Sequence, residues 1–145
     1  MKPGSKLKPA NEFRAYKRNL PHFEHPGNFY FITFKTIEGF SLSDAAKDIT
    51  FASIKFHADK KYRLYACVVM ETHVHEVLQP LEESKDTYYS LAQIMHSIKS
   101  YSANRIQRLL NRKGSVWLDE NYDRIIRDDE DYLETTNNIN ANLCN

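Results

Sequence analysis

The sequence predicts an α+β fold, a ferredoxin-like antiparallel sheet with helices packed on it, in the order β-α-β-β-α-β-α. Three observations carry that expectation. Residues 29–36, FYFITFKT, are aromatic or β-branched almost throughout and read as a strand. Residues 63–70 and 73–79, RLYACVVM and HVHEVLQ, are two runs of strand length separated only by Glu71 and Thr72, which reads as a hairpin. Residues 88–112 carry Leu91, Ile94, Met95, Ile98, Ile106, Leu109 and Leu110 at spacings of three and four, the mark of one apolar helix face.

The remaining elements follow in order. Residues 43–60 have apolar positions at helical spacing, with Ser43 and Asp44 as candidate caps. Gly114 is the expected stop of the 88–112 helix. Residues 117–127 contain YDRIIR, a short strand, and 128–142 open on DDED, an acidic first turn suited to a helix N-terminus. Residues 1–28 hold Pro3, Pro9, Pro21 and Pro26 and read as a basic N-terminal arm, leaving 29–145 as the folded domain. No internal repeat or low-complexity tract interrupts it.

A chain of 145 residues with 41% hydrophobic and 27% charged residues has the composition of one globular domain, not of a disordered chain. No apolar run reaches membrane-spanning length and no apolar segment follows the N-terminal lysines, so neither a membrane span nor a secretory signal is expected. Cys67 and Cys144 form no CxxC motif and no disulfide framework, and a cytoplasmic location is the expectation.

The net charge of +1 conceals an uneven distribution. Residues 1–20 have six basic side chains, among them Arg14, Lys17 and Arg18, against one acid. Residues 90–113 have Lys99, Arg105, Arg108, Arg112 and Lys113 and no acid, whereas 114–145 have eight acids against Arg124 and Arg127. The plain reading is two solvated faces; the alternative is a cationic surface that neutralises nucleic-acid phosphates.

The sharpest local feature is His73-Val74-His75. Residues two apart in a strand point to the same side with Cα atoms about 6.5–7 Å apart. Two imidazoles so placed can share a divalent cation while Val74 points into the core. They can equally be two ordinary histidines at a strand end. No HxHxDH pattern follows, which argues against a binuclear hydrolase, and no nearby cysteine suggests structural zinc.

Four segments taken together, RAYKRNLPHFEHPGNFYFITFKT at 14–36, VVMETHVHEVLQP at 68–80, IMHSIKSYSANRI at 94–106 and GSVWLDENYDRIIRDDEDY at 114–132, resemble in order the single-tyrosine HUH transposases, with the REP-associated tyrosine transposases as the nearest branch. The resemblance spans residues 13–142. It implies a protein that binds single-stranded or hairpin DNA at repeat ends, and a histidine pair that holds Mg²⁺ or Mn²⁺ against the scissile phosphate. It implies a tyrosine on the last helix that forms a 5′-phosphotyrosine link. It also implies either a monomer, as in the REP-associated branch, or a homodimer, as in insertion-sequence relatives, and an N-terminal segment that reads a guide sequence beside the hairpin.

Carried onto this chain, the resemblance makes His73 and His75 metal ligands and Asn142 the third. The family pattern of the last helix is Tyr-hydrophobic-x-x-Asn-Pro; here the stretch reads Asn138-Ile139-Asn140-Ala141-Asn142-Leu143. The nucleophile position therefore holds Asn138, which has no hydroxyl to deprotonate, and strand cleavage and transfer in DNA transposition, the family's activity, is in question. Tyr132 is the leading substitute, with Tyr122 and Tyr101 behind it, although six residues turn Tyr132 about 120° away from 138 on a helix. Glu76 is a second departure, because the family prefers an apolar residue there. It shares the core side with Val74 and Leu78, so a partner or a strand end is expected for its carboxylate.

The expected DNA-contacting cations are Arg14, Lys17, Arg18, Lys99, Arg105, Arg108, Arg112, Arg124 and Arg127. Tyr88, Tyr89, Tyr101, Tyr122 and Trp117 supply rings on which bases can stack, or else belong to the core.

Overall fold

A computed structural model describes residues 14–17 and 28–144, with side chains through residue 139. Strands β1 (Ala15–Lys17), β2 (Phe29–Thr36), β3 (Tyr62–Val69), β4 (His73–Pro80) and β7 (Trp117–Ile126) form one antiparallel sheet in the order β1-β3-β4-β2-β7. A small hairpin, β5 (Glu82–Ser84) with β6 (Thr87–Tyr88), stands apart from it. The helices are α1 (Asp44–His57), α2 (Leu91–Leu110) and α3 (Asp129–Cys144). The expected β-α-β-β-α-β-α order is therefore present, with two additions. The hairpin β5–β6 has no strand-like sequence, and β1 lies inside the stretch read as an arm.

That second addition corrects the expected boundary at residue 28. Ala15, Tyr16 and Lys17 pair with Val68, Cys67 and Ala66, so part of the arm is an edge strand of the domain sheet. Arg18 and the rest of the arm lie outside the described residues.

Local chemistry explains the helices. Ser43 caps α1 by accepting from the Ala46 amide at 3.2 Å. Its buried positions Ala46, Thr50, Ser53, Ile54 and His57 repeat at three and four. In α2, Ser90 and Gln93 form a reciprocal capping box, with bonds of 3.0 and 2.8 Å. Asn111 ends α2 in the left-handed conformation (φ 49°), three residues before the predicted stop at Gly114. A left-handed Asn satisfies the last carbonyls as Gly would, and the Asn111 amide bonds to Arg108 O and Gln107 O. Asp128 accepts from the Asp131 amide at 2.8 Å and starts α3.

The sheet separates two cores. On one face Ile32, Phe34, Leu64, Cys67, Val74, Leu78 and Trp117 pack with Ile54, Ile94, Ile98 and Ile106 of α1 and α2. On the other, Phe29, Tyr65, Ala66, Val68, Val77 and Ile126 pack with Tyr132 and Ile139 of α3. No helix among the described residues is long and apolar enough to cross a membrane.

Candidate metal and nucleic-acid site

Strand alternation decides which side chains meet. His73, His75 and Val77 lie on the α3 face, and Val74, Glu76 and Leu78 on the opposite one. Antiparallel registry then sets rows across that face. Ala15, Val68, His75, Thr33 and Tyr122 form one row over five strands. The neighbouring row is Lys17, Ala66, Val77, Phe31 and Arg124. On the other side of His75, Lys35 pairs with His73. Helix α3 covers Val77 and its neighbours and leaves the histidines at the open end of the face, half-buried.

The two imidazoles stand side by side, with ring centroids 5.0 Å apart. His75 Nδ1 meets Thr33 Oγ1 at 2.8 Å, and His73 Nδ1 meets Thr72 Oγ1 at 3.2 Å. When each Nδ1 donates its proton to the hydroxyl, both Nε2 lone pairs are free, the usual arrangement of metal-binding histidines. Phe31 stacks on His75 at 5.5 Å and fixes the second ring face. Burial, helped by the charges of His73 and Lys35, pushes His75 down to about 4. Burial and Lys35 also lower His73. Both rings are thus neutral near pH 7, the form that ligates a metal.

These two residues fit a divalent cation as part of its ligand set. Asn142 lies within α3, but its side chain is outside the described residues. Among the described residues no group of three His, Cys, Asp or Glu converges to complete a site.

The cations expected to touch DNA are distributed unevenly. Lys17 and Arg127 are exposed on or beside the α3 face. Arg14 corrects the expectation: it is 2% exposed, and its Nε donates to Asp48 at 2.8 Å, with Asp44 at 3.7 Å. It fastens β1 to α1. Arg124 is also committed, donating to both Asp131 oxygens at 3.1 and 3.2 Å and to Thr135 Oγ1 at 2.7 Å. Its guanidinium lies 5.4 Å from the Phe31 ring. This arginine thereby ties α3 to the ring that supports His75. Burial opposes ionisation of Asp131, but the Arg127 amide and the Arg124 and Arg127 charges outweigh it and hold the carboxyl below the usual range.

The α2 cations belong to the other side of the sheet. Lys99 Nζ donates to Leu118 O at 2.7 Å across a cleft of about 460 Å³ between α2 and β7. Arg112 covers the Phe40 ring and donates to Ser115 O at 3.0 Å. Arg105 covers Tyr101, and Arg105 and Arg108 border Ile49 of α1. None of these four faces the histidine pair.

Two further expectations change. Tyr132 is 1% exposed and part of the α3 core, so burial removes the leading substitute nucleophile. Glu76 is fully buried, and neither carboxylate oxygen has a hydrogen-bond partner among the described residues. Burial raises its pKa to about 8. Trp117 is core, as the plain reading had it, and donates to Ser102 Oγ at 3.0 Å. Asn138 is exposed on α3, one turn beyond the Thr135 that receives Arg124.

The sequence reading missed Lys35, Thr33 and Phe31. Their alternation in FYFITFKT is visible, but only the pairing of β2 with β4 shows that they share the histidines' face. An open concavity of about 410 Å³ lies beside His73, bordered by Lys35, Thr36, Glu38, Phe40 and Thr72.

No family model and no curated protein matches the sequence. Solved structures do match. One, described as the REP-associated tyrosine transposase bound to a REP hairpin, aligns over 83% of this chain with 20% identity and a TM-score of 0.57. The chain spans 66% of that protein's length. A candidate transposase from Deinococcus radiodurans aligns over 86% of this chain and 97% of its own, with 15% identity and a TM-score of 0.53. The chain has the α+β fold of these transposase structures, and the fold is what a likeness at this identity establishes.

Proposed function

We propose that this chain is a transposase-like DNA-binding protein of the HUH type that takes single-stranded or hairpin DNA across the open end of the α3 face. The carrying observation is the pair of neutral imidazoles, 5.0 Å apart, on a sheet face that also presents Lys35 and Lys17. The solved structure with the REP hairpin supports a DNA partner for this fold.

His73 and His75 would hold Mg²⁺ or Mn²⁺, with Asn142 as the third ligand that the resemblance implies. A bound divalent ion supplies Lewis-acid polarisation of the phosphoryl group. The chain's own residues do the rest. Thr33 and Thr72 orient the imidazoles, Phe31 holds the ring plane, and Lys35 adds positive charge where a phosphate lies.

Asn138 favours a second reading, a protein that binds DNA and does not cut it, because a carboxamide at the nucleophile position cannot form a phosphodiester link. Fluorescence anisotropy with hairpin, single-stranded and duplex DNA tests the shared part of both readings. Hairpin or single-stranded DNA binds in preference, and affinity falls with salt in proportion to the phosphates contacted. Equal affinity for duplex of the same length refutes the specificity, and no binding at low salt refutes the function. Calorimetry with Mn²⁺ checks the ion, with binding lost in His75→Ala.

A further inference from the structure

We propose that Arg124 is a positioning residue for the histidine pair: through the Phe31 ring, it lets helix α3 set the tilt of the His75 imidazole. The inference rests on the metal reading above and adds a residue to it.

Strand order supplies the path. β2 lies between β4 and β7, so Phe31 has Val77 opposite it on one side and Arg124 on the other. The Arg124 guanidinium lies over the Phe31 ring, 5.4 Å from its centroid. The same ring stacks on His75 at 5.5 Å, with 21° between the planes. His75 in turn stands 5.0 Å from His73.

Each link fixes what the one before leaves free. The 2.8 Å contact with Thr33 pins His75 Nδ1 but not the tilt of the ring about that atom. The last torsion of an imidazole or a phenyl ring is broad, so its neighbours decide the plane. For His75 that neighbour is Phe31, which is itself only partly buried against the α3 core. Arg124 closes over Phe31 from the β7 side.

Arg124 can hold a ring because it is held in turn. It donates to both Asp131 oxygens, at 3.1 and 3.2 Å, and to Thr135 Oγ1 at 2.7 Å. The Asp131 carboxylate is buried and also accepts from the Arg127 amide at 3.0 Å and from Thr135 Oγ1 at 3.4 Å. A guanidinium is planar and donates as a fork, so these α3 partners fix its plane; an ammonium keeps the charge and loses the plane. Arg127 is the contrast. Its side chain meets Asp131 through Nε at 3.5 Å and is 82% exposed, so it is held at one point only.

The test uses the full chain. NMR without metal reads the His75 ring protons, whose resonances the Phe31 ring current displaces; Phe31→Leu gives their undisplaced positions. Arg124→Lys moves them toward those positions, whereas Arg127→Lys leaves them in place. Thr135→Val keeps the ion pair, removes the 2.7 Å bond and moves them in the same direction as Arg124→Lys. These shifts report the folded molecules and do not follow a general loss of stability. Unmoved resonances in Arg124→Lys overturn the inference, as does an equal displacement in Arg127→Lys. If Arg124→Lys fails to fold, unmoved resonances in Thr135→Val overturn it. Calorimetry with Mn²⁺ gives the second readout. Arg124→Lys and Phe31→Leu each weaken binding about tenfold, the scale on which supports of a metal site act. The double variant is no weaker than Phe31→Leu alone, because one path carries both effects; additive losses overturn the inference. A wild type that binds no Mn²⁺ overturns the metal reading, and the metal-free resonances then decide the role of Arg124 by themselves.

Discussion

Glu76 offers the sharpest quantitative test of this fold. Its carboxyl is fully buried between Ile32 and Cys67 on the neighbouring strands, with neither oxygen hydrogen-bonded to any described residue. Burial raises its pKa from 4.5 to about 8. The folded protein therefore keeps a proton that the unfolded chain releases between those pH values. Stability is full below pH 4.5, falls as pH rises, and levels off above pH 8, where both states are ionised. At 1.36 kcal/mol per unit, the loss across that window is about 5 kcal/mol as an upper bound.

Replacing the acid with an unbranched apolar side chain of similar length, Glu76→Met, removes the proton and the unmet hydrogen-bonding groups together. At pH 8 the variant is more stable than wild type by several kcal/mol. At pH 4.5 the advantage shrinks to the cost of a neutral buried acid without partners, about 1–3 kcal/mol. Urea titration followed by the fluorescence of buried Trp117 reads both. The informative quantity is the difference between the two proteins, because other carboxylates titrate alike in each. Parallel pH profiles for wild type and Glu76→Met refute the reasoning. DNA affinity stays unchanged, since Glu76 points away from the histidine face.

Arg124→Ala removes the ion pair to Asp131, whose side chain is 6% exposed, and costs about 1–3 kcal/mol, read as an earlier urea midpoint and faster proteolysis within α3. Arg14→Ala lowers stability by about 1–2 kcal/mol yet leaves the salt slope of DNA binding untouched, because Arg14 is spent on Asp48. Mn²⁺ affinity, followed by calorimetry, stays nearly flat from pH 8 to pH 7, since burial holds both His73 and His75 below the ordinary histidine value. A tenfold drop over that range contradicts it. Asn138→Tyr yields a DNA adduct mapped to residue 138 after incubation with labelled hairpin DNA and Mn²⁺ and denaturing electrophoresis; hairpin binding without an adduct refutes the assignment of the nucleophile position.

Much of the fold is legible because local signals agree with the tertiary structure. The alternation of FYFITFKT, the paired runs around Glu71 and Thr72 and the spaced apolar residues of α2 each specify one element and one buried face. The histidine pair is legible for the same reason, since period-two geometry is a property of any strand. What sequence does not carry is partner identity across strands. Arg14 looks like one more cation in a basic arm until β1 docks on β3 and delivers it to Asp48. Tyr132 looks available until α3 turns it onto Tyr65, Val68 and Val77. The hairpin β5–β6, EES and TY, has no apolar alternation to announce it and stays invisible.

The same registry changes how the charge pattern is understood. Five basic residues in 90–113 look like a phosphate-binding surface for the site, yet α2 packs on the face that Val74 and Leu78 bury, with the sheet between it and the histidines. A strand laid over His75 meets Lys35 and Lys17, exposed on the α3 face, rather than Arg105 or Arg108. Removing Lys35 and removing Arg108 should thus weaken different contacts. Lys35→Ala lowers affinity for a short single strand that covers only the histidine pair, whereas Arg108→Ala leaves that short ligand alone and affects only DNA long enough to pass the sheet edge. Equal losses on the short ligand would require one strand to touch both faces of a sheet at once, which a single row of phosphates across the α3 face cannot do.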